Sequence, residues 1–313
     1  MPEPSQTELL HDLEPTVATE LDRHLTVAKE WMPHEYVPWS QGRDFAGPLG
    51  GEAWSPEQSA FDDVAQTALV VNLLTEDNLP SYHREIYQSF GAHGAWGTWI
   101  GRWTAEEGRH AMAIRDYLLT TRGVDPDALE RERMEHMTQG FESSYDPDML
   151  HTVAYVSFQE LATRISHRNT GRFTQDPVAD QLLQRIAIDE NLHMIFYRNV
   201  MGAALERAPE ATLKAIWEVV KDFQMPGSTI EGFTRRSVKI AMAGIYDLRI
   251  HHDEVLSPVL RAWKVWDLEG LSGEAEKARD QIAAFLQGLD AQATRFEEKR
   301  EQWRARQAAR AGG

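Results

Sequence analysis

Acidic residues sit where this chain should be most apolar, and that restricts its possible folds more than any other feature. Over residues 95–121, Trp99, Trp103, Ala111, Ile114 and Leu118 recur at helical spacings and mark one face of a helix, yet Glu107 and His110 lie on that same face. Over 177–205 the stripe Leu183, Ile186, Met194, Tyr197, Met201 carries Glu190 and His193. Glu76 interrupts the row Leu69, Leu73, Pro80, and Glu160 interrupts the row Val153, Val156, Thr163. A buried ionised carboxylate is strongly unfavourable unless it is paired or metal-bound. The chain therefore folds only if these acids meet partners inside.

Their spacing says which partners. In Glu107/His110 and Glu190/His193 the histidine follows the glutamate by three residues, one turn on along the same face, which suits two ligands of one cation. The motif alone is weak. Twelve His and 29 Glu in 313 residues give about one such pair by chance, and the third pair, Glu8/His11, has no glutamate upstream to match it. The duplication is stronger: Glu76 precedes Glu107 by 31 residues and Glu160 precedes Glu190 by 30. In one helix 31 residues would span roughly 46 Å, but two antiparallel helices joined by a turn bring both glutamates to one level. Two such hairpins face to face assemble four Glu and two His in the centre of a bundle, the carboxylate arrangement of ferritin-like di-iron or di-manganese proteins. Four carboxylates and two divalent ions cancel in charge. Oxygen and imidazole donors in a chain without cysteine suit iron or manganese, with zinc able to intrude.

The rest of the chain predicts an all-α fold, a ferritin-like four-helix bundle with flanking helices. Asp125-Pro126, Asp146-Pro147, Asp176-Pro177 and Ser55-Pro56-Glu57-Gln58 read as helix starts, and Gly123 and Gly171 as stops. They place helices near 56–90, 95–121, 126–141, 147–170 and 177–205, then 209–223, 228–250, 254–264 and 273–308. One di-iron domain is expected over 1–275, followed by a charged helical tail over 276–313, partly disordered. Pro80, which lacks the N–H that would bond the carbonyl of residue 76, should bend the helix at Glu76. No apolar run reaches the roughly 18 residues of a membrane span, and MPEPSQTELL has no signal-peptide character, so a cytoplasmic protein is expected. A net charge of −17 argues against nucleic acid and anionic membranes.

At these residues the sequence resembles the soluble acyl-ACP desaturases, the plant stearoyl-ACP desaturase family and its actinobacterial relatives. The matching segments are LLTEDNLPSY (73–82), RWTAEEGRH (102–110), SFQELATRISHRNTGR (157–172) and IAIDENLHMIFY (186–197), with weaker matches at WMPHEYVPW (31–39), QMP (224–226) and RAWKVWDLEGLS (261–272). They run colinearly over about 25–275; beyond 275 nothing matches.

The resemblance implies an O2-dependent desaturase acting on a fatty acyl chain carried by acyl carrier protein, with two iron ions, ferredoxin as electron donor and a homodimeric state. It makes Glu76, Glu107, His110, Glu160, Glu190 and His193 the metal ligands. It sets Thr163 beside the oxygen-binding side of the metals, and Asp189 and Trp31 near a metal-bound histidine, where an Asp accepting the second ring N–H fixes the tautomer. Glu106 is expected at the surface or behind the ligands. Trp99, Trp103, Ile186 and Phe196 are candidate walls of an acyl tunnel. Acyl carrier proteins are acidic, so docking calls for a local basic patch, for which Arg235, Arg236, Lys239 and Lys29 are the candidates. Leu192 stands where the plant proteins carry a basic residue. Alternatives are a di-iron hydroxylase or oxidase of a carrier-bound chain and a non-enzymatic ferritin-like metal protein. A ribonucleotide-reductase small subunit is disfavoured, because Ile114 occupies the position of its radical tyrosine.

Overall fold

The computed structural model describes residues 4–141 and 148–311. The chain opens with a helix that the start signals above did not include, α1 (Gln6–Val27). Its signal is a reciprocal cap: Ser5 N donates to Glu8 Oε2 at 2.8 Å and Glu8 N to Ser5 Oγ at 3.4 Å. The Glu8/His11 pair thus includes a capping glutamate. The Ser55 signal closes only one 3₁₀ turn, Pro56–Gln58, and α2 (Asp63–Asp77) starts later, capped by Asp62.

The chain breaks at Asn78, and α3 (Leu79–Phe90) follows with Pro80 in its first turn. The distortion expected from Pro80 is therefore a full interruption two residues after Glu76. Next come α4 (Gly94–Thr120), α5 (Pro126–Gln139), α6 (Met149–Thr174) and α7 (Pro177–Arg207). The Asp146-Pro147 signal lies outside the described residues, and α6 is capped by Asp148. Gly171 does not stop this helix; Gln175 does, in the left-handed conformation.

α8 (Pro209–Asp222) precedes a stretch expected to be one helix over 228–250. Left-handed glycines cut it: Gly232 (φ 66°) precedes α9 (Phe233–Ala243) and Gly244 (φ 83°) ends it. α10 (Leu248–Ile250), a π-helical turn (His251–Leu256) and α11 (Ser257–Ala262) continue as one rod. α12 (Gly273–Ala311) begins just ahead of the boundary expected at 275. Its Ala278, Ile282, Leu289 and Ala293 are buried, and it packs on α8, while residues 301–310 are exposed.

The hairpins α2/α4 and α6/α7 form the four-helix bundle, with α1 laid over α4 and α7, and α9 over α2. The apolar stripes read from the sequence face inward, except at Pro80, which is exposed. Among the described residues there is no strand, only one isolated bridge (Phe45 with Glu52), and no helix is long and apolar enough to cross a membrane.

Candidate metal centre

Four helices each bring acid to the middle of the bundle: Glu76 from α2, Glu107 and His110 from α4, Glu160 from α6, Glu190 and His193 from α7. All six side chains are buried, His110, His193 and Glu160 completely. They form two overlapping sets of donors, Glu76/Glu107/His110/Glu190 and Glu107/Glu160/Glu190/His193. Glu107 and Glu190 belong to both sets, whereas Glu76 and Glu160 each belong to one.

The donor atoms turn inward. His110 Nδ1 lies 3.0 Å from Glu190 Oε1, 3.5 Å from Glu107 Oε2 and 3.6 Å from Glu76 Oε2. His193 Nδ1 lies 2.8 Å from Glu107 Oε1 and 3.5 Å from Glu160 Oε2. Donors at about 2.1 Å from a shared ion stand about 3 Å apart along an octahedral edge, so these separations suit metal ligation. Five of the converging atoms, Glu107 Oε1, Glu160 Oε2, Glu190 Oε1 and both Nδ1, are buried without a well-formed hydrogen bond. Buried polar atoms are rarely left so, and their convergence on one spot fits cations of the kind the donor set favours.

The electrostatics agree. Burial pushes the carboxyl of Glu160 well above the usual range, helped by the charges of Glu107 and Glu190. Against their burial, the surrounding carboxylates draw His110 and His193 well above the usual histidine range. With protons as the only cations available, the cluster retains them, and metal binding must displace them.

Each histidine is held from behind through Nε2. His110 Nε2 faces Asp189 Oδ2 at 3.5 Å, and Trp31 Nε1 donates to the same oxygen at 2.7 Å. Arg109 also donates to it at 3.3 Å, and Arg185 to the other carboxylate oxygen. Burial would raise Asp189, but the bonds from His110 and Trp31 hold it well below the usual range. Trp31 is buried, lies nearly parallel to the His110 ring at 6.3 Å and carries the Arg109 guanidinium 5.0 Å above its ring.

On the other side, Glu106 Oε2 lies 2.9 Å from both His193 Nε2 and His24 Nε2. Glu106 is therefore not a surface acid: α1 covers its side of α4 and brings His24 to it. His167 was not singled out in the sequence, although it follows Glu160 by seven residues on the same face; its Nε2 bonds Glu76 Oε1 at 2.7 Å. Trp103 Nε1 donates to Glu160 Oε1 at 2.9 Å. Thr163 Oγ1 donates to Glu190 Oε2 at 2.6 Å, a closer acceptor than the Gln159 carbonyl at 3.1 Å.

Two cavities reach the site. The first runs between α2, α3, α4 and α6, with Tyr82, Ile86, Trp103, Tyr155 and Val156 in its walls. The second lies between α2, α6 and α9, with Thr163, His167, Phe233, Ile240 and Tyr246. Thr75 and Glu76 line both. Of the four candidate wall residues only Trp103 takes part; Trp99, Ile186 and Phe196 are core.

The basic candidates do not form one patch. Arg236 pairs with Glu132 and Lys239 with Asp63, while Arg235 is exposed with no ion pair among the described residues. Lys29 follows α1 on the α4/α7 side of the bundle, away from α9 on α2.

The comparisons with known proteins point the same way. Residues 5–311 match the family model described as Fatty acid desaturase. The acyl-[acyl-carrier-protein] desaturase DesA1 of Mycobacterium tuberculosis is 51% identical over 297 residues, 93% of this chain and 88% of that protein. A chloroplastic acyl-[acyl-carrier-protein] desaturase 7 of Oryza sativa is 29% identical, over 95% of this chain and 77% of the relative. The X-ray structure of acyl-ACP desaturase DesA2 from Mycobacterium tuberculosis superposes with a TM-score of 0.69 at 30% identity, covering 86% of this chain and 98% of that one. With the duplicated Glu and Glu-x-x-His donor sets at the centre of its bundle and a match along nearly its whole length, the chain belongs to the fatty acid desaturase family.

Proposed function

We propose that this chain is an acyl-ACP desaturase that holds two iron ions in the six-residue cluster and uses O2 to place a double bond in a carrier-bound fatty acyl chain. One observation carries the reading: two donor sets sharing Glu107 and Glu190 lie beside Glu76, which lines both cavities. When bound, the metals supply the oxidising power that O2 brings to an unactivated C–H bond. In balance, the chain loses two hydrogens as one C–C bond becomes C=C. One O2 is reduced to two waters by two electrons from the chain and two from an external donor, with two protons from solvent.

The protein's part is placement. A chain lying in either cavity passes Thr75 and Glu76, so one pair of neighbouring CH2 groups stands beside the cluster, and in the first cavity Trp103, Ile86 and Val156 exclude water. Asp189 and Glu106 accept from Nε2 of His110 and His193 and leave each Nδ1 free for metal. His167 orients Glu76, and Thr163 orients Glu190. Mn is the alternative metal, since the donor set does not separate it from iron.

Acyl carrier protein is the proposed partner, docked on the α9 side. Arg235 lies on the helix whose Phe233, Ser237 and Ile240 line the second cavity, which makes that cavity the entrance. The buried sequence Trp31, Asp189, His110 supports ferredoxin delivering electrons on the opposite face. A homodimer fits the exposed face of α4, where Gly101, Ala105 and Met112 are small or apolar, and soluble partners fit a cytoplasmic location.

The test is mass spectrometry of acyl-ACP incubated with the iron-loaded protein, ferredoxin, its reductase and O2. Loss of two hydrogens from the acyl chain is the expected result. Gain of an oxygen atom would make the protein a hydroxylase, and no change of mass would remove the assignment.

A further inference from the structure

The outer wall of the entrance cavity is formed by an element with little buried surface. α9 has eleven residues, of which only Ile240 is buried, and it ends at the left-handed Gly244. Two residues on, Tyr246 lines the cavity beside Ile240, Ser237 and Phe233, and its hydroxyl bonds His251 Nδ1 at 2.9 Å. The last carbonyls of a helix have no partner within it, so the position of this wall depends on what satisfies them.

α12 supplies further bonds. Arg300 donates at 2.9 Å to the Ala241 carbonyl, which also accepts from Gly244 N at 3.0 Å, and Arg304 donates to the Met242 carbonyl at 3.0 Å. Arg300 also pairs with Asp247, whose side chain is 3% exposed and which caps α10 by accepting from Ile250 N at 3.0 Å. From α10, Arg249 reaches back to Asp290, to Thr294 Oγ1 at 2.8 Å and to Glu297 at 3.2 Å. Both sides of the Gly244 turn are thus fastened to one rod. The other half of that rod is anchored in the core through Ala278, Ile282 and Leu289.

We propose that α12 is a clasp for the acyl entrance, with Arg300 as a positioning residue that fixes the Gly244 turn and so sets the place of Ile240 and Tyr246 against the substrate chain. Arg300 touches neither cavity nor cluster and acts only through the turn. The proposal rests on the second cavity being the acyl path.

The test uses the full-length protein, wild type, Arg300→Ala, Arg300→Lys and Arg304→Ala. Three quantities are read: amide hydrogen exchange over 240–250, binding of the fluorescent fatty acid cis-parinaric acid, and KM and kcat for acyl-ACP. Arg300→Ala should speed exchange in that segment by about tenfold or more. It should also weaken parinarate binding and raise KM by about tenfold, a change of one decade in affinity. Metal content and kcat at saturation should hold, and Arg300→Lys should recover part of the loss. Should Arg300→Ala fail to fold, Arg304→Ala carries the same signs at smaller size. Unchanged exchange would overturn the clasp; faster exchange with unchanged parinarate binding and KM would overturn its link to the cavity. Exchange and parinarate binding are read without turnover, so an enzyme that fails to desaturate acyl-ACP leaves this test intact and condemns only the functional reading.

Discussion

Replacing Glu160 by Gln should make the metal-free protein more stable and the metal-loaded protein less so. Glu160 is fully buried, one of its oxygens has no hydrogen-bond partner, and Glu107 and Glu190 oppose its charge. Glutamine keeps an acceptor for Trp103 and offers an N–H₂ to the neighbouring carboxylates. Relief of one unsatisfied buried acceptor is worth about 1–3 kcal/mol. An unfolding entropy of about 2.1 cal/mol/K per residue over 313 residues is about 0.66 kcal/mol/K, so Tm without metal should rise by about 2–5 °C. In the wild type each ion present at a hundredfold excess over its Kd adds about 2.7 kcal/mol, or about 4 °C. The variant, short of one ligand, should lose most of that gain. Calorimetry in chelator and in anaerobic ferrous iron reads both. A variant less stable in chelator that keeps the full metal-induced rise would refute the assignment, because Glu160 would then be an ordinary structural acid.

Thr163→Val should keep the metal content and lower turnover by about 10- to 100-fold, the worth of about 1.5–3 kcal/mol for a hydrogen bond to a charged group; Thr163→Ser should restore most of it, and full activity in the valine variant would reduce Thr163 to packing. Arg122 is 2% exposed and bonded to Gln58 and to the carbonyls of Arg43, Asp44 and Glu52, so Arg122→Ala should cost about 2–4 kcal/mol in chemical denaturation without altering metal content. Burial pulls His251 down to about 4, so the unfolded chain takes up this proton first as pH falls. Stability from this group is intact above about 6.5 and lost towards about 4, by about 1–3 kcal/mol given its partial exposure, and His251→Gln should flatten that acid slope in urea titrations at pH 7 and 5. Arg235→Glu with Arg236→Glu should raise KM for acyl-ACP at low salt, an effect fading as the Debye length shortens; an unchanged KM would discard the α9 docking face.

The ligands were legible because each interrupts an apolar stripe of helical period and because the interruption repeats at nearly equal spacing. That Glu107 and Glu190 fall in both donor sets was not, since it depends on the relative depth of two hairpins and not on either alone. Glu106 was read as off the face, because neighbours on a helix point about 100° apart. That reasoning leaves the surface and a place behind the ligands both open, and α1, by covering the side, decides for the second. His167 lies two turns beyond Glu160, where an interior histidine gives no sign of its partner on another helix. The long helix expected over 228–250 broke at Gly232 and Gly244, whose positive φ only the fold reveals. Those breaks produce the turn that α12 fastens.

Counting the metal is the most direct test of the central claim that two hairpins build one two-metal site. After anaerobic reconstitution with ferrous iron and removal of excess, the wild type should hold two irons per chain. Glu107→Ala and Glu190→Ala, each removing a ligand common to both positions, should lose both ions, whereas Glu106→Gln should retain them. One iron or none in the wild type, or two in either shared-ligand variant, would contradict the account.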